Sequence, residues 1–154
     1  MARLTDAKGQ VWEVVLDVAT VKRVKELTGC NVGIILNDRM QALADLVGDP
    51  VLLIDVVYAI CKPQCEQRGI SDEEFGQSFS GQTLQDAYDA FMQALIDFFP
   101  NRQSRILQNL VKTTNQAAEV LATKAEKQTA ELTAETLLDL VSSTPESSES
   151  TPAP

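Results

Sequence analysis

Asp49-Pro50-Val51-Leu52-Leu53-Ile54-Asp55-Val56-Val57-Tyr58-Ala59-Ile60-Cys61 is the stretch whose reading decides the fold. Asp49 offers a capping carboxylate, and Pro50 suits a first helical position, where the missing N–H has no intrahelical partner to lose. Leu52, Leu53, Val56, Val57 and Ile60 then make the helix apolar over more than half its circumference. A stripe that broad is contacted from several sides, so this helix belongs at the centre of a helical domain. Pro63 is expected to stop or kink it just after Cys61, and Gly69 closes the region.

On the C-terminal side, Ser71-Asp72-Glu73-Glu74 is a capping box that opens a short helix carrying Phe75 and Phe79. Its three carboxylates sit where free amides favour negative charge, which explains them without an acid cluster for catalysis. Residues 83–99 follow as an amphipathic helix, with Leu84, Ala87, Tyr88, Phe91, Leu95, Phe98 and Phe99 at intervals of three and four. Pro100 ends it, and Asn101 is expected to cap the next.

On the N-terminal side, residues 34–47 form another helical pattern that ends at Gly48. Before it, Thr20 is expected to cap a helix with Val21, Val24 and Leu27 on one face and Gly29 beyond its end. Lys22, Arg23 and Lys25 are the only basic cluster, read as a solvated face. Residues 2–17 read as a β-hairpin turning at Asp6-Ala7-Lys8-Gly9. Trp12, Val14 and Leu16 share one face of its second strand, and Val11, Glu13 and Val15 share the other. Such a hairpin is either the plain edge of the domain or an open edge for a partner strand.

The chain of 154 residues has 13 basic and 22 acidic residues, a net charge of −9, 44% apolar residues and no histidine. One domain with an appendage fits that length. The acidity argues against nucleic acid and anionic membranes as partners. The lack of histidine removes the commonest general base and metal ligand, so no enzyme is expected. Three cysteines at irregular spacing suggest no disulfide framework. Cys61 and Cys65 lie four apart, but zinc wants four ligands, so they read as small buried residues and no metal or cofactor is expected. No apolar leader or spanning segment occurs, which makes a cytoplasmic protein the expectation.

All the aromatic residues and glycines lie before Pro100, as does −7 of the −9 net charge. Beyond it, Leu107, Leu110, Val111, Thr114, Ala118 and Leu121 form a stripe that fades toward alanine. Leu132, Leu137, Leu138, Leu140 and Val141 follow a polar spacer. The stripe either folds back on the 83–99 helix or is an exposed binding element for a partner helix. In the second case Leu107, Leu110, Val111, Ala118, Leu121, Leu137 and Leu138 are the candidate partner-binding residues. Residues 142–154, rich in Ser and Pro, have no large apolar side chain and are expected to be disordered. The fold expected is mainly α. A compact helical domain with an N-terminal β-hairpin (1–100) is followed by a helical arm (101–141) and a tail (142–154).

The Gly-containing hairpin with its Trp strand, followed by Val21-Lys22-Arg23-Val24-Lys25-Glu26-Leu27, resembles phage tail assembly chaperones. So do Asp49-Pro50-Val51-Leu52-Leu53, Cys61-Lys62-Pro63, Gly69-Ile70-Ser71-Asp72-Glu73-Glu74-Phe75 and Asp97-Phe98-Phe99-Pro100. The resemblance covers roughly residues 1–110 and is one of order and spacing. It implies a non-enzymatic helical protein that binds the tape measure protein, keeps it soluble and helps recruit tail-tube subunits. A homo-oligomer is compatible with that reading. The alternatives are a head–tail connector or tail completion protein that stays in the particle, and a small host adaptor protein.

Overall fold

In the computed structural model, which describes residues 1–142, the chain turns first at Asp6. Strand β1 (Ala2–Thr5) pairs antiparallel with β2 (Val11–Val14), placing Leu4 opposite Trp12 and Arg3 opposite Glu13. Asp6 N–H donates to Gln10 O and Gly9 N–H to Asp6 O, with Gly9 at φ 80°, where a side chain would be strained. The buried Asp6 carboxylate also accepts from Lys8 N and Gln10 N and, at 2.9 Å, from Trp12 Nε1. One side chain thus closes the turn and satisfies the indole buried beneath it. Trp12, Val14 and Leu16 are buried and Val11, Glu13 and Val15 exposed, as alternation predicts.

Helix α1 spans Val18–Thr28, and its cap is Asp17 rather than Thr20: the Asp17 carboxylate accepts from Thr20 N–H at 2.7 Å. That bond holds the Asp17 carboxyl below its usual range. Thr20 is buried instead, while Leu27, expected on the buried face, is exposed. Gly29 ends the helix in the left-handed region. The 34–47 pattern becomes two single turns, Val32–Ile34 and Asp38–Met40, followed by α2 (Gln41–Gly48). Asp38, Arg39 and Met40 all have φ between 50° and 62°, a left-handed turn that its residue types disfavour.

Helix α3 (Pro50–Arg68) starts as its sequence predicts, with the Asp49 side chain accepting from Val51 N and Leu52 N. It does not stop near Cys61 but runs through Pro63. Proline has no N–H for the carbonyl four residues back, that of Ala59. The Arg23 guanidinium supplies the donors from outside: Nε to Ala59 O at 2.8 Å and Nη2 to Ile60 O at 3.1 Å. Arg23 is therefore a half-buried structural residue and not part of a solvated basic face.

Around α3 lie α1, α2, β2, α4 (Asp72–Gln77) and α5 (Gln82–Phe98). Leu53, Val56, Val57, Ala59, Ile60, Cys61 and Cys65 are its buried residues. The Ser71–Glu74 capping box is present. Phe75 packs edge-on to Trp12 with ring centroids 5.0 Å apart, and it also meets Tyr58 and Phe79. From α5, Ala87, Ala90, Phe91, Met92, Ala94 and Leu95 are buried, while Leu84, Tyr88, Phe98 and Phe99 pack at the margin.

Pro100 O accepts from Ser104 N–H, so Pro100 takes the capping position that Asn101 was expected to hold. Helix α6 spans Asn101–Ser142. The chain divides into two compact units at Val111 and Lys112, which sets the end of the first eleven residues beyond the expected boundary at 100. The shift has a cause: Leu107 is fully buried in the first unit's core, with Leu110 and Val111 packed against it. Apart from Ser142, the tail expected to be disordered lies outside the described residues.

Candidate partner-binding surface

Three of the candidate residues belong to the first unit. Leu107 is 0% exposed and cannot meet a partner without unfolding. Leu110 and Val111 are half-buried and pack on the same core. In the first turns of α6 only Leu107 is fully buried, with Ser104, Leu110 and Val111 half-buried and the remaining side chains exposed.

The remaining candidates belong to the second unit, where every described side chain from Lys112 to Val141 is exposed. Ala118 lies open there, with Leu121 65%, Leu137 57% and Leu138 68% exposed. Val120 and Leu132, at 66% and 63%, add to the surface, although neither was among the candidates. These residues do not form one stripe. At about 100° per residue, Ala118, Leu121, Ala125 and Leu132 fall on one side of the helix. Leu137 lies roughly 160° round from Leu121, and Val120 and Leu138 point the same way as each other, away from both. Between the leucines, Ala125, Thr129, Ala130, Thr133 and Ala134 leave a shallow small-residue face.

Composition keeps this segment helical. Ala, Glu, Lys, Gln and Leu, all good helix formers, dominate residues 112–142. The hydroxyls of Thr123, Thr129, Thr133 and Thr136 each donate to the carbonyl four residues back, at 2.7–2.9 Å. Such bonds satisfy the threonine hydroxyls within the helix itself.

Gln64 and Arg68 of the first unit have structural partners. Gln64 donates to Glu13 O and accepts from Glu13 N–H, and Arg68 donates to Val11 O while its guanidinium lies 4.3 Å from the Trp12 ring. These residues were not singled out in the sequence. Their only trace there is spacing, Cys61, Gln64 and Arg68 sharing the face of α3 that meets β2. Burial pushes the Cys61 thiol up to about 12 and the Cys65 thiol up to about 11, so both stay protonated near neutral pH. Protonated thiols are poor nucleophiles and poor metal ligands. Among the described residues no group of three or more Cys, Asp or Glu is placed to hold a metal ion. No helix there is long and apolar enough to cross a membrane. No family model matches the chain, and neither a curated protein nor a solved structure is significantly similar to it.

Proposed function

We propose that the protein is a non-enzymatic assembly chaperone of a phage-type tail, acting in the host cytoplasm. In this reading residues 112–141 bind the tape measure protein and keep it soluble, and the protein helps recruit tail-tube subunits. One observation carries it: Val120, Leu121, Leu132, Leu137 and Leu138 stand in water on a stretch of helix, residues 112–141, with no buried side chain. Burying a leucine is worth about 1.5–3 kcal/mol, so leaving several exposed invites a partner. A long helical protein with apolar stripes on more than one side suits a surface whose leucines also point several ways. The resemblance of the first unit supplies the identity of that partner, and the net charge of −9 supports solubility of the complex.

The test is co-expression with a tape measure protein from a phage-type tail. The chaperone reading expects a soluble complex, lost in a Leu121→Asp/Leu132→Asp/Leu138→Asp variant that keeps the unfolding midpoint of the first unit. If the long protein stays insoluble and no complex forms, the reading fails. Stoichiometric presence in purified particles would favour a structural component instead.

A further inference from the structure

The two edges of the hairpin are treated differently. Asp6 and Gln10 share a ladder bond, so the bonded positions alternate from there through Leu4–Trp12 to Ala2–Val14. The backbone groups of Val11 and Glu13 therefore point out of β2, and Gln64 and Arg68 cover them. Arg3 and Thr5 point out of β1 in the same way, and no hydrogen bond from the described residues reaches their N–H or C=O groups. Beside this uncovered edge lies a groove of about 510 Å³ between β1 and α5, lined by Ala90, Gln93 and the carboxylates of Asp86 and Asp89. Each carboxylate accepts only from a glutamine four residues earlier, Gln82 and Gln85, at 3.0 Å. Neither is in an ion pair among the described residues; the Met1 ammonium and Arg3 line the same groove but pair with Asp97 and Glu13. Arg3, the nearest arginine along the strand, is turned to Glu13 across the hairpin.

We propose that β1 is a docking edge for an extended basic segment of another protein, which adds a third strand and sets lysine or arginine side chains against Asp86 and Asp89. The geometry fits: alternate residues of a strand lie about 6.7 Å apart on one face, and three residues of a helix rise about 4.5 Å, within reach of long basic side chains. A second copy of this chain is the poorer occupant, because two-fold pairing of β1 would bring the same carboxylates of two acidic chains together. This site lies within Met1–Val111 and is independent of the proposed role of residues 112–141.

The test uses the full chain, isotope-labelled, with an acetylated and amidated peptide of alternating lysine and threonine, six residues long, as probe. Binding should slow amide exchange at Arg3 and Thr5 and leave Val11 and Glu13 unchanged. Asp86→Asn/Asp89→Asn should weaken binding roughly fivefold, the range of two rim ion pairs. Thr5→Pro, which removes an outward N–H and no ladder bond, should abolish it. The same peptide with the amides that would face β1 N-methylated should not bind, which keeps the test decisive if Thr5→Pro fails to fold. Equal binding of the N-methylated peptide would reduce the effect to charge attraction and overturn the proposal. So would absence of protection at Arg3 and Thr5, or protection of these amides by self-association in the absence of peptide.

Discussion

Helix α3 and the part of α6 beyond Val111 are both long, and their sequences pull in opposite directions. The 19 residues of α3 include Val51, Ile54, Val56, Val57, Ile60 and an interior Pro63, a poor set for a helix in isolation. Packing against α1, α2, α4, α5 and β2 and two donors from Arg23 hold it helical through Pro63. Residues 112–142 are good helix formers and bury nothing described. The first helix exists because of its neighbours, and the second because of its own composition. Most helix stability in proteins comes from packing, which residues 112–141 lack, so the second is the segment whose stability a partner can raise.

The comparison breaks most visibly at its leucines. Leu107→Ala should cost the first unit about 2–5 kcal/mol, read from the urea midpoint, because it opens a cavity in a closed core. Leu121→Ala, on the same helix, should leave that midpoint within about 0.5 kcal/mol. Equal losses at both positions would put residues 112–142 in the core and end the distinction.

Next in size is the proline. Arg23→Ala should cost about 1.5–3 kcal/mol, since a charged donor to a buried carbonyl is lost. In a Pro63→Ala background the helix regains its own N–H for Ala59 O, and the same change should cost clearly less. An additive double-mutant cycle would show that Arg23 does not compensate the proline.

Glycine tests the intrinsic side of the contrast. Ala125→Gly should weaken the exposed segment by about 1 kcal/mol and lower the helical circular dichroism. The cooperative unfolding of the first unit should not move, and a shifted midpoint would contradict an independent segment. The left-handed turn at Asp38-Arg39-Met40 makes the complementary point, since packing around it tolerates backbone strain. Arg39→Gly, at an exposed position, should stabilise by about 0.5–1 kcal/mol in the same urea titration.

The smallest effect is a cap. Ser71 N–H and hydroxyl hold the Glu74 carboxyl below its ordinary range when folded. That contribution is present above the unfolded carboxylate pKa and fades as acid protonates the folded group. Glu74→Gln should therefore flatten the acid side of the stability profile slightly, and identical profiles would rule the cap out as a titrating element.

Local signals made most elements legible. The hairpin faces, the Asp49-Pro50 start, the Ser71 box and Gly29 are all determined by residues within a few positions of each other. What escaped was set by distant partners. Nothing near Pro63 announces Arg23, forty residues earlier, and nothing near Val11 announces Arg68. For the candidate surface, periodicity identified Leu107 and Leu121 as one stripe. Periodicity marks which residues share a face, and only the packed core decides where burial along that face stops.

The position of β1 has a consequence for synthesis. It pairs with β2 and packs on α5, and α5 is completed at Phe98. At about 5–20 residues per second, roughly 5–20 s separate the emergence of Leu4 from that of its helical cover. During that interval Trp12 can already meet Arg68 and Phe75, but β1 lacks the helix it packs on. The β1 side of the hairpin therefore stays bare until α5 is made, and a chain ending before Gln82 should leave it exposed.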